Sequence, residues 1–195
     1  MNIENARKNF LEIDEILNRC KIKYYLSEGT LLGAVRDGDF IPWDHDLDLR
    51  VEPTDWKLSM REEFKRGGFR YLDAICPKLY QDKSSGCVVI KRAIHTDIGL
   101  NYYYPPEDLC LTLAHRPNTH NTLRPARFYR GDHFINFCGV KVRIPYPPAN
   151  YLDIVYGVVW RTPRKDNYYL LGAKPISMEK YVKYFLKHPE VNQGK

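Results

Sequence analysis

Three aspartates, Asp44, Asp46 and Asp48, fall at alternate positions near the end of the stretch YYLSEGTLLGAVRDGDFIPWDHDLDLRV, residues 24–51. An extended chain projects every second side chain to the same face. A strand here therefore turns the Asp46 and Asp48 carboxylates one way and Leu47, Leu49 and Val51 the other way, into a core. Like charges held that close are costly unless a cation neutralises them. Hard oxygen ligands of this kind suit Mg2+ or Mn2+.

The residues before the acids supply a complementary part. Lys23–Leu26 is β-prone, Ser27-Glu28-Gly29-Thr30 breaks that run, and a short helix is expected over Leu31–Arg36 before Asp37-Gly38 stops it. A helix N-terminus with a small residue lets backbone N–H groups approach a phosphate. Gly29 and Thr30 are thus candidate phosphate- or nucleotide-binding residues, and Arg36 is a candidate phosphate clamp. The plainer alternatives are a simple helix cap at Gly29-Thr30 and solvated turn or edge acids at Asp44 and Asp48.

The chain of 195 residues has the length of a single domain, 1–195. An amphipathic helix is expected over residues 4–20, a core over about 22–163 and a helical tail over about 177–188. A helix with Thr54 as N-cap is expected to run through Trp56, Met60 and Phe64 to Gly67-Gly68. Residues 69–72 and 78–80 read as short strands, and Gly86–Lys91 with Ile94–Asn101 as a hairpin. Asp97 sits inside the second arm of that hairpin, where a carboxylate needs either a metal or a partner such as Lys91 or Arg92. Residues 104–132, rich in Pro, Arg, His and Asn, read as a long loop with one helical turn. A further hairpin is expected over 134–144, turning at Cys138-Gly139, then a short helix over Tyr151–Tyr156 stopped by Gly157. Interleaved strands and helices define an α+β class with a mixed β-sheet flanked by helices.

Five cysteines, odd in number and without a CxxC pair, argue against a disulfide framework and a structural zinc site. No signal peptide or run of roughly 20 apolar residues is seen, so the expectation is a cytoplasmic protein with no membrane span. The formal charge of +6 suits a phosphate-bearing ligand. The basic residues are spread rather than striped, so no nucleic-acid partner is expected.

Asp46, Asp48 and Asp97 together make a divalent-metal cradle of the kind that clamps phosphates and neutralises developing charge. Asp44 or His45 is then placed to orient an acceptor hydroxyl or take its proton. Tyr102, Tyr103 and Tyr104 are candidates to stack a base or sugar, with core packing as the alternative. Arg124, Arg127 and Arg130 either meet an anionic ligand or form a solvated basic loop. His115, His120 and His133 have no ligand partners at zinc spacing, and Trp160 reads as a packing residue.

The order glycine, small hydroxyl residue, short helix and Asp-x-Asp resembles the nucleotidyltransferase fold. SEGTLLGAVRDGDFIPWDHDLDL is similar to the signature of the LicD family of phosphotransferases, and WDHDLDL to its fukutin-related branch. YLDIVYGVVWRTP resembles a later family segment. The resemblance implies transfer of a substituted phosphate, phosphocholine or ribitol phosphate, from a CDP-linked donor to a glycan or sugar hydroxyl, with CMP leaving. By motif, Asp46 and Asp48 match the metal-binding pair, Asp44 the acid before it, Gly29 and Thr30 the phosphate-facing turn, and Asp97 the third acid. His45 stands where many bacterial members carry Asp. The alternatives are a nucleotidyltransferase adding NMP from an NTP to a small hydroxylated acceptor, as in antibiotic-modifying relatives, and a non-catalytic nucleotide-binding module.

Overall fold

The computed structural model describes residues 1–56, 59–75, 84–112, 122–165, 183, 184, 187 and 188. The expected strand at 78–80, His115, His120 and most of the expected tail helix lie outside the described residues. The first helix, α1 (Ile3–Arg19), is amphipathic as its spacing requires. Asn2 caps it by accepting from the Asn5 N–H at 2.9 Å, and Ala6, Phe10, Ile13 and Leu17 are fully buried. β1 (Tyr24–Leu26) leads into α2 (Glu28–Arg36), and β2 (Asp46–Val51) carries the acids.

The helix expected from Thr54 starts later. Residues 53–55 form a turn closed by Asp55 N–H to Glu52 O and Trp56 N–H to Pro53 O, and α3 spans Met60–Arg66 with Ser59 at its N-cap. The pattern Trp56, Met60, Phe64 has helical spacing, but only its last two residues are helical.

β3 (Arg70–Ile75), β4 (Ser84–Lys91) and β5 (Ile94–Tyr104) pair antiparallel in sequence. The β4–β5 turn is two residues, Arg92 and Ala93, both at positive φ (52° and 60°), which matches the twist of a tight hairpin without a glycine. Lys91 and Arg92 are held by Glu12 of α1, at 2.6 Å each. Those two cations, weighed as partners for Asp97, are engaged elsewhere.

The described parts of 104–132, residues 104–112 and 122–132, carry more regular structure than a long loop. They contain a hairpin of β6 (Leu109–Thr112) and β7 (Thr122–Pro125), with short 3-10 turns at Pro105–Glu107 and Ala126–Tyr129. Pairing of β6 with the far half of β5 satisfies backbone groups that a loop would leave to water. β8 (Phe134–Phe137) and β9 (Val140–Arg143) form the expected hairpin, and α4 (Pro148–Tyr156) ends at Gly157. Among the described residues the sheet has nine strands, along the path β3-β4-β5-β2-β1-β9-β8 with β6 and β7 attached beyond β5. β2 runs parallel to β5 and β1 parallel to β9; the other pairings are antiparallel. The architecture is α+β, a mixed sheet with helices.

Candidate active site

The parallel pairing of β2 with β5 decides the arrangement of the acids. Its register sets Asp46 opposite His95, Asp48 opposite Asp97 and Arg50 opposite Gly99. Paired residues on neighbouring strands share a face and lie about 4.8 Å apart. Asp46, Asp48 and Asp97 therefore stand on one side of the sheet, while Leu47, Leu49 and Ile98 are wholly buried on the other. Asp97 is only 8% exposed, and Asp46 and Asp48 are half-buried.

The electrostatics follow from that crowding. Burial first, and then the Asp46 charge, hold the Asp48 carboxyl well above the usual carboxylate range. Arg50 relieves it in part, while Glu28 and Asp97 add to the load. Burial also raises Asp44, offset in part by the His45 N–H donated to its Oδ1 at 2.9 Å.

The turn before the acids is tied directly to the acid strand. Ser27, Glu28, Gly29 and Thr30 are the N-cap and first turn of α2, not residues ahead of it. The Thr30 hydroxyl accepts the Asp48 backbone N–H at 2.9 Å, and the Ser27 N–H donates to the Asp48 carbonyl at 3.1 Å. These two bonds fasten the start of α2 onto β2. Gly29 is required for another reason. A Cβ there would stand 2.1 Å from Asp44 Oδ2 and 3.6 Å from Asp48 Oδ2. The missing side chain is what lets Asp44 lie beside Asp48.

Arg50 and Glu28 were not picked out from the sequence. Arg50 is buried, donates to Glu28 Oε1 at 3.1 Å, and lies over Gly99, where a Cβ would meet its Nη1 at 2.7 Å. Glu28 takes φ +40°, a strained value for a non-glycine residue. Continuing the alternation of Asp46 and Asp48 by one step would have found Arg50.

The remaining candidates separate. His45 is exposed. Arg36 lies at the far end of α2 from Gly29, bonded to both carboxylate oxygens of Asp37 and to the Trp160 carbonyl. The structure does not bring it to the acids. Tyr102 and Tyr104 are buried, whereas Tyr103 is exposed on a cavity of about 310 Å³ with Tyr25, Glu52, Asn101 and Tyr129. None of the four aspartates lines that cavity. Trp160 packs, its indole N–H donating to Asp153 at 2.7 Å, and His133 stacks on Tyr146.

As a donor set for a divalent ion, three hard carboxylates on adjacent strands have the right chemistry. Their side chains are not yet gathered: among the described residues no three or more His, Cys, Asp or Glu converge to hold a metal ion as they stand. The backbone places Asp48 beside Asp97.

Residues 21–147 match the model of the LicD/FKTN/FKRP nucleotidyltransferase domain. The chain belongs to the LicD family. Its match takes in β1 through β9, so every acid on the sheet, Gly29 and Thr30 fall inside the family domain, while α1 and α4 flank it. Among relatives, the ribitol 5-phosphate transferase FKRP of Homo sapiens is 50% identical over 36 residues, covering 18% of this chain and 7% of that protein. The lipopolysaccharide cholinephosphotransferase LicD of Haemophilus influenzae is 43% identical over 42 residues, 22% of this chain and 16% of its own length. The ribitol-5-phosphate transferase FKTN of Macaca fascicularis is 22% identical over 170 residues, 85% of this chain and 35% of its own length. This LicD-family chain thus spans well under two thirds of each. A lincomycin-bound lincosamide adenylyltransferase, LnuA, aligns over 92% of this chain and 95% of its own at 12% identity and a TM-score of 0.48. No helix among the described residues is long and apolar enough to cross a membrane.

Proposed function

We propose that this chain is a phosphotransferase that moves a substituted phosphate, of the phosphocholine or ribitol-phosphate type, from a CDP-linked donor to a glycan hydroxyl. The observation that carries the reading is the register pairing of Asp48 with Asp97, with Asp46 on the same face. Family membership supports it, since relatives are named as transferases of such groups.

Asp46, Asp48 and Asp97 would hold Mg2+ or Mn2+, which when bound supplies charge neutralisation at the donor phosphates. The acceptor oxygen forms a bond to the donor's distal phosphorus as the bond from that phosphorus to the CMP oxygen breaks. Asp44 takes the hydroxyl proton: burial raises its carboxyl, the direction that makes it a stronger base, and Gly29 leaves room for it beside Asp48. Thr30 and Ser27 keep the first turn of α2 fixed on β2, where its N–H groups would meet developing negative charge.

The deciding experiment measures CMP release from CDP-choline and CDP-ribitol with a panel of sugars. Asp46→Asn is expected to lower the rate about 100-fold or more, since loss of an ion ligand removes several kcal/mol of transition-state stabilisation. Turnover by Asp46→Asn at the rate of the unaltered protein would refute the assignment. Pyrophosphate release from NTPs, without CMP release from CDP-linked donors, would replace it with nucleotidyl transfer.

A further inference from the structure

Arg124, Arg127 and Arg130 look alike in sequence, but the structure gives them three different settings. Arg127 is exposed and lies over the Phe128 ring, and Arg130 pairs with Asp108. Arg124 is 6% exposed. Its guanidinium donates from Nη1 to the Leu123 carbonyl at 3.0 Å, and its Nε is buried without any partner.

A buried guanidinium with one backbone acceptor for five N–H donors is expensive. Glu28 and Arg50 are the charges nearest to it in effect, together with the neutral hydroxyls of Tyr129 and Tyr151. Glu28 is already bonded to Arg50. Arg50 faces Asp48 as well as Glu28, so the carboxylates at hand serve Arg50, and the Arg124 guanidinium is left with the Leu123 carbonyl and no bonded carboxylate among the described residues.

Topology sets Arg124 on the acid-bearing face. Arg124 pairs with Cys110, Cys110 pairs with Tyr103, and Tyr103 lies an even number of residues from Asp97 on β5. Arg50 lies two residues beyond Asp48 on β2, and Gly99 leaves space for its guanidinium. We propose that Arg124, with Arg50 beside it, forms an anion seat that takes a phosphate oxyanion of the bound ligand. The planar fork of Arg124 suits phosphate oxygens, while Arg50, bonded to Leu49 O and Glu28, adds its charge. This seat deepens the phosphate-transfer reading but is tested apart from it.

The test uses the full chain in EDTA, without donor or acceptor, and follows binding of inorganic phosphate and pyrophosphate by calorimetry and thermal shift. The unaltered protein is expected to bind one anion saturably. Arg124→Gln should weaken that binding at least tenfold, Arg124→Lys should fall between, and Arg127→Gln should bind as the unaltered protein does. Without anion, Arg124→Gln should melt no lower than the unaltered protein, because it removes an uncompensated charge. CDP displacing phosphate would make the seat part of the donor site; CDP bound alongside phosphate would make it a seat for a phosphorylated acceptor. Both results support the proposal if Arg124 is needed. Absence of saturable binding at millimolar anion, or equal binding by Arg124→Gln, would overturn it. Neither depends on whether phosphate transfer occurs.

Discussion

At the scale of single residues, Gly29 separates two demands usually entangled. By intrinsic preference a helix gains about 1 kcal/mol when an interior glycine becomes alanine. Here the added methyl would collide with Asp44 Oδ2, the mobile end of a side chain, rather than with backbone. Gly29→Ala is therefore expected to fold with stability equal to or above the original while losing at least tenfold in transfer rate, because Asp44 is pushed off Asp48. Thermal melting and CMP release, measured side by side, check both halves. An unchanged rate would remove Asp44 from the chemistry.

Elements meet through a small number of polar ties. Thr30 of α2 accepts the Asp48 N–H of β2, so one hydroxyl fixes the helix start to the acid strand. Thr30→Val keeps the shape but leaves a buried N–H unmatched, at a cost of about 1–3 kcal/mol in denaturant unfolding. Thr30→Ser should recover most of it. If Val and Ser variants unfold alike, the tie does not hold α2 in place. The register between β2 and β5 is the other decisive contact between elements, and nothing in either strand alone specifies it. Each strand shows which of its residues share a face; the partner opposite is set when the sheet assembles.

For the molecule as a whole, the acid face stores strain against folding. The Asp48 carboxyl has a raised value in the folded state, so between its ordinary 3.8 and that higher value the folded chain binds more protons than the unfolded one. Stability from this group is then lost as pH rises through that window, at about 1.4 kcal/mol per unit of displacement. In EDTA, the melting temperature of the unaltered protein should fall from pH 4 toward neutrality by a component that Asp48→Asn removes. Asp48→Asn should also melt higher near pH 7. Adding Mg2+ or Mn2+ should raise the melting temperature of the unaltered protein and leave Asp48→Asn nearly unmoved. A variant that melts lower in EDTA would mean that Asp48 stabilises the apo fold.

The sequence by itself determined the local periodicities. The alternation of Asp46 and Asp48 with Leu47 and Leu49, the α1 stripe, the Cys138-Gly139 turn and the Gly157 stop all depend on neighbours a few residues away. Its misreadings arose where tertiary pairing overrides local composition. The segment with Pro125, Arg124 and Asn121 reads as loop, yet its described part pairs into the sheet through β5. Only the folded chain decided that Asp97 stands beside Asp48, that Arg50 pairs with Glu28, and that Arg124 is enclosed while Arg127 is not. Side-chain direction is set by the backbone over two or three residues, whereas strand pairing joins segments dozens of residues apart, and the site is made of such pairings.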